Sequence, residues 1–139
     1  MEDVRLEMET HYFGTRAFAP IIAANGGGAI LIVLSVLSWA HVPAFGAYSA
    51  AKAGSWAVTD AIRQELAPRG IHVAALHVGF MDTDMADFVP ADQKVDPSVV
   101  AQLALDGLFA GDPEILADDL SRTVKARLSV TPERLVHSR

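Results

Sequence analysis

Ala29-Ile30-Leu31-Ile32-Val33-Leu34-Ser35 is an apolar run closed by a hydroxyl, and thirteen positions after that Ser comes Tyr48-Ser49-Ala50-Ala51-Lys52. The run is apolar on both faces and rich in branched side chains. That predicts a strand covered on both sides, as in a parallel sheet. Residues 47–67 are Ala-rich with good helix formers and are stopped by Pro68-Arg69-Gly70, which predicts a helix. A second apolar run, Ile71-His72-Val73-Ala74-Ala75-Leu76-His77-Val78, predicts another strand, ended by Gly79.

Upstream, residues 2–24 predict a helix, with Val4, Met8, Phe13, Phe18 and Ile21/Ile22 at roughly helical intervals. Gly14 and Pro20 weigh against an unbroken one. Asn25-Gly26-Gly27-Gly28 reads as a turn. Downstream, 35–46 and 80–95 read as loops. Asp96 caps a helix with Pro97 in its first turn, and 113–127 read as a last helix. Strands alternating with helices imply right-handed βαβ units, hence an α/β fold with a doubly wound parallel sheet of about two to three strands. Sites in such sheets lie beyond the carboxyl ends of the strands, here Leu34/Ser35 and Val78/Gly79.

Composition narrows the function classes. The chain has 139 residues, which allows one domain at most, and 51% are hydrophobic, enough for a core. A net charge of −6 makes non-specific binding to nucleic acid or anionic membrane unfavourable. With no Cys, disulfide scaffolds and Cys-based zinc sites are excluded. The longest apolar run is too short for a membrane span, and the acidic N-terminus does not read as a signal peptide. A cytoplasmic protein is expected. No metal is expected either. His72 and His77 are five apart on a strand and face opposite sides, and His11, His41 and His137 show no ligand spacing. Asp82, Asp84 and Asp87 lack the Gly and Glu of a calcium loop and read as a solvated loop. Trp39 and Trp56 read as core or interface residues. No G-x-S-x-G elbow is present for a hydrolase.

The chemistry lies with Ser35, Tyr48 and Lys52. A spacing of four puts Tyr48 and Lys52 on one helix face. A nearby ammonium stabilises a phenolate and readies a Tyr for proton exchange near neutral pH. Ser35, at the end of the preceding strand, can hydrogen-bond the same substrate oxygen. The alternative for Ser35 is a plain strand-end hydroxyl bonded to backbone. Ser38, ten positions before Tyr48, fits less well. Such a trio suits carbonyl–alcohol interconversion with a hydride carrier.

Ser35-x12-Tyr48-x3-Lys52 resembles the short-chain dehydrogenase/reductases, and its flanks agree. Gly26-Gly27-Gly28-Ala29-Ile30 is similar to that family's turn into its fifth strand. Arg69-Gly70-Ile71-His72-Val73 is similar to its approach to the sixth. His77-Val78-Gly79-Phe80-Met81-Asp82-Thr83 is similar to its Pro-Gly-x-x-x-Thr nicotinamide segment, with Val78 in place of Pro. His11-Tyr12-Phe13-Gly14 is similar to its Asn-x-x-Gly segment, with His11 in place of Asn. The resemblance implies a partial Rossmann-like fold. It implies Tyr48 as general acid/base, Lys52 acidifying the phenol and binding the nicotinamide ribose, and Ser35 orienting the carbonyl. His11 would stand in the family's proton relay. Gly79, Phe80, Met81 and Thr83, with Tyr48 and Lys52, would bind NAD or NADP, and Leu37, Met85 and Phe88 would contact substrate.

Two departures shape the expectations. The family's Gly-rich TGxxxGxG turn, which receives the pyrophosphate on a helix N-terminus, does not occur in these residues. Residues 1–139 are therefore expected to be a single, N-terminally truncated domain, weak or inactive alone. The stretch between Gly14 and Pro20 is also about four residues, or one helical turn, shorter than expected. Truncation would leave strand 29–34 as an apolar edge open to self-association, and the resemblance implies a homo-oligomer, dimer or tetramer, packed through helices 2–24 and 47–67. The alternatives are a non-enzymatic module that self-associates or completes a partner chain, or a fragment of a longer reading frame.

Overall fold

The computed structural model describes residues 2–129. Its first element, α1 (Glu2–Ala24), runs through Pro20 without ending. The chain turns at Asn25–Gly27 into β1 (Gly28–Val33). The turn closes against the end of the next crossover: a Cβ on Gly27, whose φ is +95°, would lie 2.5 Å from Gly70 O. Both positions are thereby reserved for glycine, since Gly70 is itself left-handed at φ +71°.

After β1 come two short 3-10 turns, Val36–Ser38 and Pro43–Phe45, and then α2 (Gly46–Leu66). β2 (Ile71–His77) pairs parallel with β1, from Gly28 opposite Ile71 to Val33 opposite Leu76. A small parallel pair follows, β3 (Phe80–Met81) with β4 (Lys94–Val95). It lies within the segment read as loop, and the ion pair from Lys94 to Asp82, at 2.6 Å, ties it together. α3 (Pro97–Ala110) starts as expected, with Asp96 Oδ1 accepting from Ser98 N at 2.7 Å.

The expected helix over 113–127 is corrected. Glu114–Leu116 form β5, parallel to β2, and only Asp119–Ala126 form α4. Three residues are too few to show a period. They become a strand because Ala75–His77 offer an unpaired edge. Asp118 then starts the helix, its carboxylate accepting from Ser121 N at 2.7 Å.

The main sheet has the order β1-β2-β5, and helices cover both faces. Parity along β2 decides which residue meets which helix. Ile71, Val73 and Ala75 pack with Ile62 and Leu66 of α2 and Ala19 of α1. Ala74 and Leu76 pack with Val100 and Ala104 of α3 and Ile115 of β5. Val73, Ala74 and Ala75 are fully buried. This is the doubly wound α/β arrangement read from the sequence. Among the described residues β1 pairs on one side only. No helix among them is long and apolar enough to cross a membrane.

Candidate active site

β1 ends at Val33, and the chain leaves it through Leu34 and Ser35, held to β2 by Leu34 N–Leu76 O and Val36 N–Val78 O bonds. Ser35 is buried. Its Oγ accepts a hydrogen bond from Leu37 N at 3.1 Å, which starts the first 3-10 turn. That bond occupies a lone pair and leaves the hydroxyl proton free to donate. Ser38 is buried as well and lies inside that turn.

Tyr48 and Lys52 lie on the first turns of α2, as their spacing requires. The Lys52 ammonium sits 5.6 Å from the Tyr48 ring centroid. The same ammonium donates to Val33 O at 3.2 Å, which anchors α2 to the carboxyl end of β1, two residues before Ser35. It also pairs with the carboxylate of Glu7 on α1. Tyr48 is 40% exposed, so its phenol is accessible from solvent. His11 lies on α1 beside Glu7. Its ion-pair partner is Glu7, with Nε2 3.5 Å from Oε1, and Glu7 rather than His11 carries the contact to Lys52.

Beyond β2, Gly79 N donates to Asp118 Oδ2 at 2.6 Å. A Cβ on Gly79 would lie 2.9 Å from that oxygen. Phe80 and Met81 form β3 and are half-buried, while Thr83 is exposed and its N–H donates to Met81 O. Phe88 stacks on Phe45, with centroids 6.2 Å apart, and meets Phe80 edge-on at 6.0 Å. The segment 82–89 is thereby folded back toward the start of α2, three residues from Tyr48. Met85 is largely exposed on it. Leu37 is half-buried and packs against Val36, Trp39 and Val124.

Behind the site lies a cluster that sequence reasoning missed. His77 is fully buried and stacks on Trp39 at 3.8 Å. Trp39 and Trp56 meet edge to face at 5.8 Å, and Trp56 Nε1 donates to Glu114 Oε1 at 2.9 Å. Lys125 pairs with Glu114 and lies over both indoles. Burial lowers the His77 pKa to about 4, against the opposing pull of the Ser35 carbonyl and the Glu114 carboxylate. Burial pushes the Glu114 carboxyl up, but the Lys125 ammonium and the Trp56 N–H outweigh it and hold it below its ordinary range. Trp39 is a core residue and Trp56 is half-buried against the core. Asp118 was legible in one respect, because Asp118-Asp119-Leu120-Ser121 is a capping pattern. Nothing local pointed to its bond with Gly79. Among the described residues no group of three or more His, Asp or Glu could hold a metal. His137 lies outside them.

A three-stranded parallel sheet with helices on both faces, and a Tyr-x-x-x-Lys pair on the helix that follows its first strand, define a Rossmann-like α/β fold with a candidate site at the carboxyl ends of the strands. Residues 3–94 match the family model described as short chain dehydrogenase, and the chain belongs to that family. It is 31% identical over 107 residues to dehydrogenase/reductase SDR family member 4 of Homo sapiens, covering 77% of this chain and 38% of that protein. It is 30% identical over 116 residues to a 3-oxoacyl-acyl-carrier-protein reductase of Synechocystis, covering 84% of this chain and 47% of that protein. A short chain dehydrogenase from Burkholderia cenocepacia, solved in complex with NADP, superposes with a TM-score of 0.84 at 34% identity. That match covers 96% of this chain and 57% of the solved one. The chain thus spans less than half of these curated relatives.

Proposed function

We propose that this chain carries the catalytic, nicotinamide-side half of an NAD(P)-dependent carbonyl/alcohol oxidoreductase within a single Rossmann-like domain. The observation that carries this reading is the Lys52 ammonium, held between the Tyr48 ring and the Val33 carbonyl beside Ser35. The residues present fit the nicotinamide end of a dinucleotide. Tyr48 is accessible, Ser35 retains a hydroxyl proton, and Gly79, Phe80, Met81 and Thr83 lie at the end of the neighbouring strand. A bound nicotinamide supplies or accepts the hydride. Tyr48 moves the proton at the substrate oxygen, Ser35 Oγ orients that oxygen, and Lys52 binds ribose hydroxyls. Phe88 and Met85 present apolar surface on the substrate side, which suits an apolar carbonyl or alcohol.

Activity of the chain alone is weak or absent, because no Gly-rich phosphate-binding turn lies in its 139 residues. The NADP held by the Burkholderia cenocepacia relative makes NADPH the first dinucleotide to titrate, with NADH beside it. Calorimetry is expected to show weak binding, and any carbonyl reduction is expected to fall about 10²–10⁴-fold in Tyr48→Phe. Micromolar binding would overturn the weak-activity half of the reading. Activity indifferent to Tyr48→Phe would overturn the site.

A second reading is a non-enzymatic association module located, like the first, in the cytoplasm. It is favoured by β1, paired on one side among the described residues, and by exposed Phe13, Phe18 and Ile21 on α1. Sedimentation separates the two readings: a homo-oligomer that binds no dinucleotide supports the second.

A further inference from the structure

Lys52 is the centre of a small charged cluster between α1 and α2. Its side chain is 12% exposed, that of Glu7 is 22% and that of His11 is 20%. Glu7 pairs with Lys52, and His11 Nε2 stands 3.5 Å from the same Glu7 Oε1. An ammonium has three protons to donate. Val33 O takes one, the Glu7 carboxylate lies against the same ammonium as its counter-charge, and the Tyr48 ring centroid lies 5.6 Å from it.

The chain is built so that α1 can reach this far. Gly54, two residues after Lys52, has no side chain, and a Cβ there would lie 3.0 Å from Met8 Sδ. Met8, next to Glu7, fills that space. Glu7 and His11 are four residues apart on α1, one turn of the helix, so both face α2 from the same side.

We infer that Glu7 is the positioning residue of this site: its carboxylate, and not His11, holds the Lys52 ammonium between Val33 O and Tyr48, with His11 bracing the carboxylate. The inference rests on reading Tyr48 and Lys52 as a nicotinamide-ribose site. A Glu–Lys pair between helices is ordinarily only a brace. Here the cation is the site Lys itself, largely withdrawn from water and bonded to the strand that delivers Ser35.

The chain has three lysines, Lys52, Lys94 and Lys125, so their ammonium groups can be resolved by nitrogen-15 NMR of the full chain. Loss of one signal in Lys52→Met assigns it. Glu7→Gln keeps the side-chain volume and removes the charge. It is expected to shift or broaden the Lys52 signal while the Lys94 and Lys125 signals stay in place and report an intact fold. His11→Asn is expected to leave the Lys52 signal sharp, and Glu7→Asp to restore it in part. NADPH affinity is expected to fall about tenfold in Glu7→Gln, the scale of one charge-assisted hydrogen bond. A Lys52 signal unmoved by Glu7→Gln, or displaced as far by His11→Asn, overturns the inference. Failure of the unaltered chain to bind NADPH counts against the site reading alone, and the Lys52 signal still decides the role of Glu7.

Discussion

The imidazole of His77 lies on the indole of Trp39, with centroids 3.8 Å apart and planes 22° apart, and no part of it reaches solvent. The stack forms one wall of a box completed by Trp56, Glu114 and Lys125. It joins the loop after β1 to β5 and α4, and His77 Nδ1 faces Ser35 O at 3.5 Å. Protonation of His77 would put a second cation beside Lys125 in a space that excludes water.

Stability should therefore fall in mild acid. The folded pKa of His77 is lowered to about 4 from 6.5, so the unfolded chain binds the proton more readily. The stabilisation is fully present above pH 6.5 and is lost as pH falls toward 4. It amounts to about 3 kcal/mol over that window. Urea unfolding of the wild type and of His77→Phe, compared at pH 7 and pH 4.5, checks this. The variant should lose less stability than the wild type, and parallel losses would refute it.

Asp118 serves two elements at once. One oxygen accepts from Gly79 N and the other from Ser121 N. Asp118→Ala should remove about 2–3 kcal/mol, the sum of a helix cap and a charged hydrogen bond. Gly79→Ala should also destabilise, because its Cβ would crowd Asp118 Oδ2 and Leu120 Cδ2. Denaturant midpoints measure both, and a neutral Asp118→Ala would contradict the account.

The Asp82–Lys94 pair should matter far less. Asp82 is 65% exposed, and a surface pair of this kind is worth about 0.2–1 kcal/mol. Asp82→Asn should shift the urea midpoint slightly at low salt and not at 1 M salt. A loss comparable to that of Asp118→Ala would show that the β3–β4 pair holds more of the fold together than its size suggests.

Self-association is expected at micromolar concentration, through the free side of β1 or the exposed faces of α1 and α2. Val33 is 42% exposed on that strand. A Lys placed there, Val33→Lys, should discourage strand addition and shift the population toward monomer. Analytical ultracentrifugation of the two chains reads this directly. A wild-type monomer would exclude it, and an unchanged oligomer in Val33→Lys would direct attention to the helices instead.

Local order was readable from the sequence because its causes are local. Apolar runs of six to eight residues, the Gly and Pro stops, the Asp96 cap and the Tyr48–Lys52 spacing each act within a few residues. Together they determined the α/β class, the β1-α2-β2 unit and the face that carries the candidate site. The tertiary structure decided the rest. The bonds from Gly79 to Asp118 and from Trp56 to Glu114 span 39 and 58 residues, and no period or motif encodes such a contact. β5 is a strand only because β2 offers it an edge. Glu7 meets Lys52 where α1 packs on α2, and Gly54 lets Met8 beside it approach closely. These contacts come from the packing of separate elements, where the position of a side chain depends on the whole path between them.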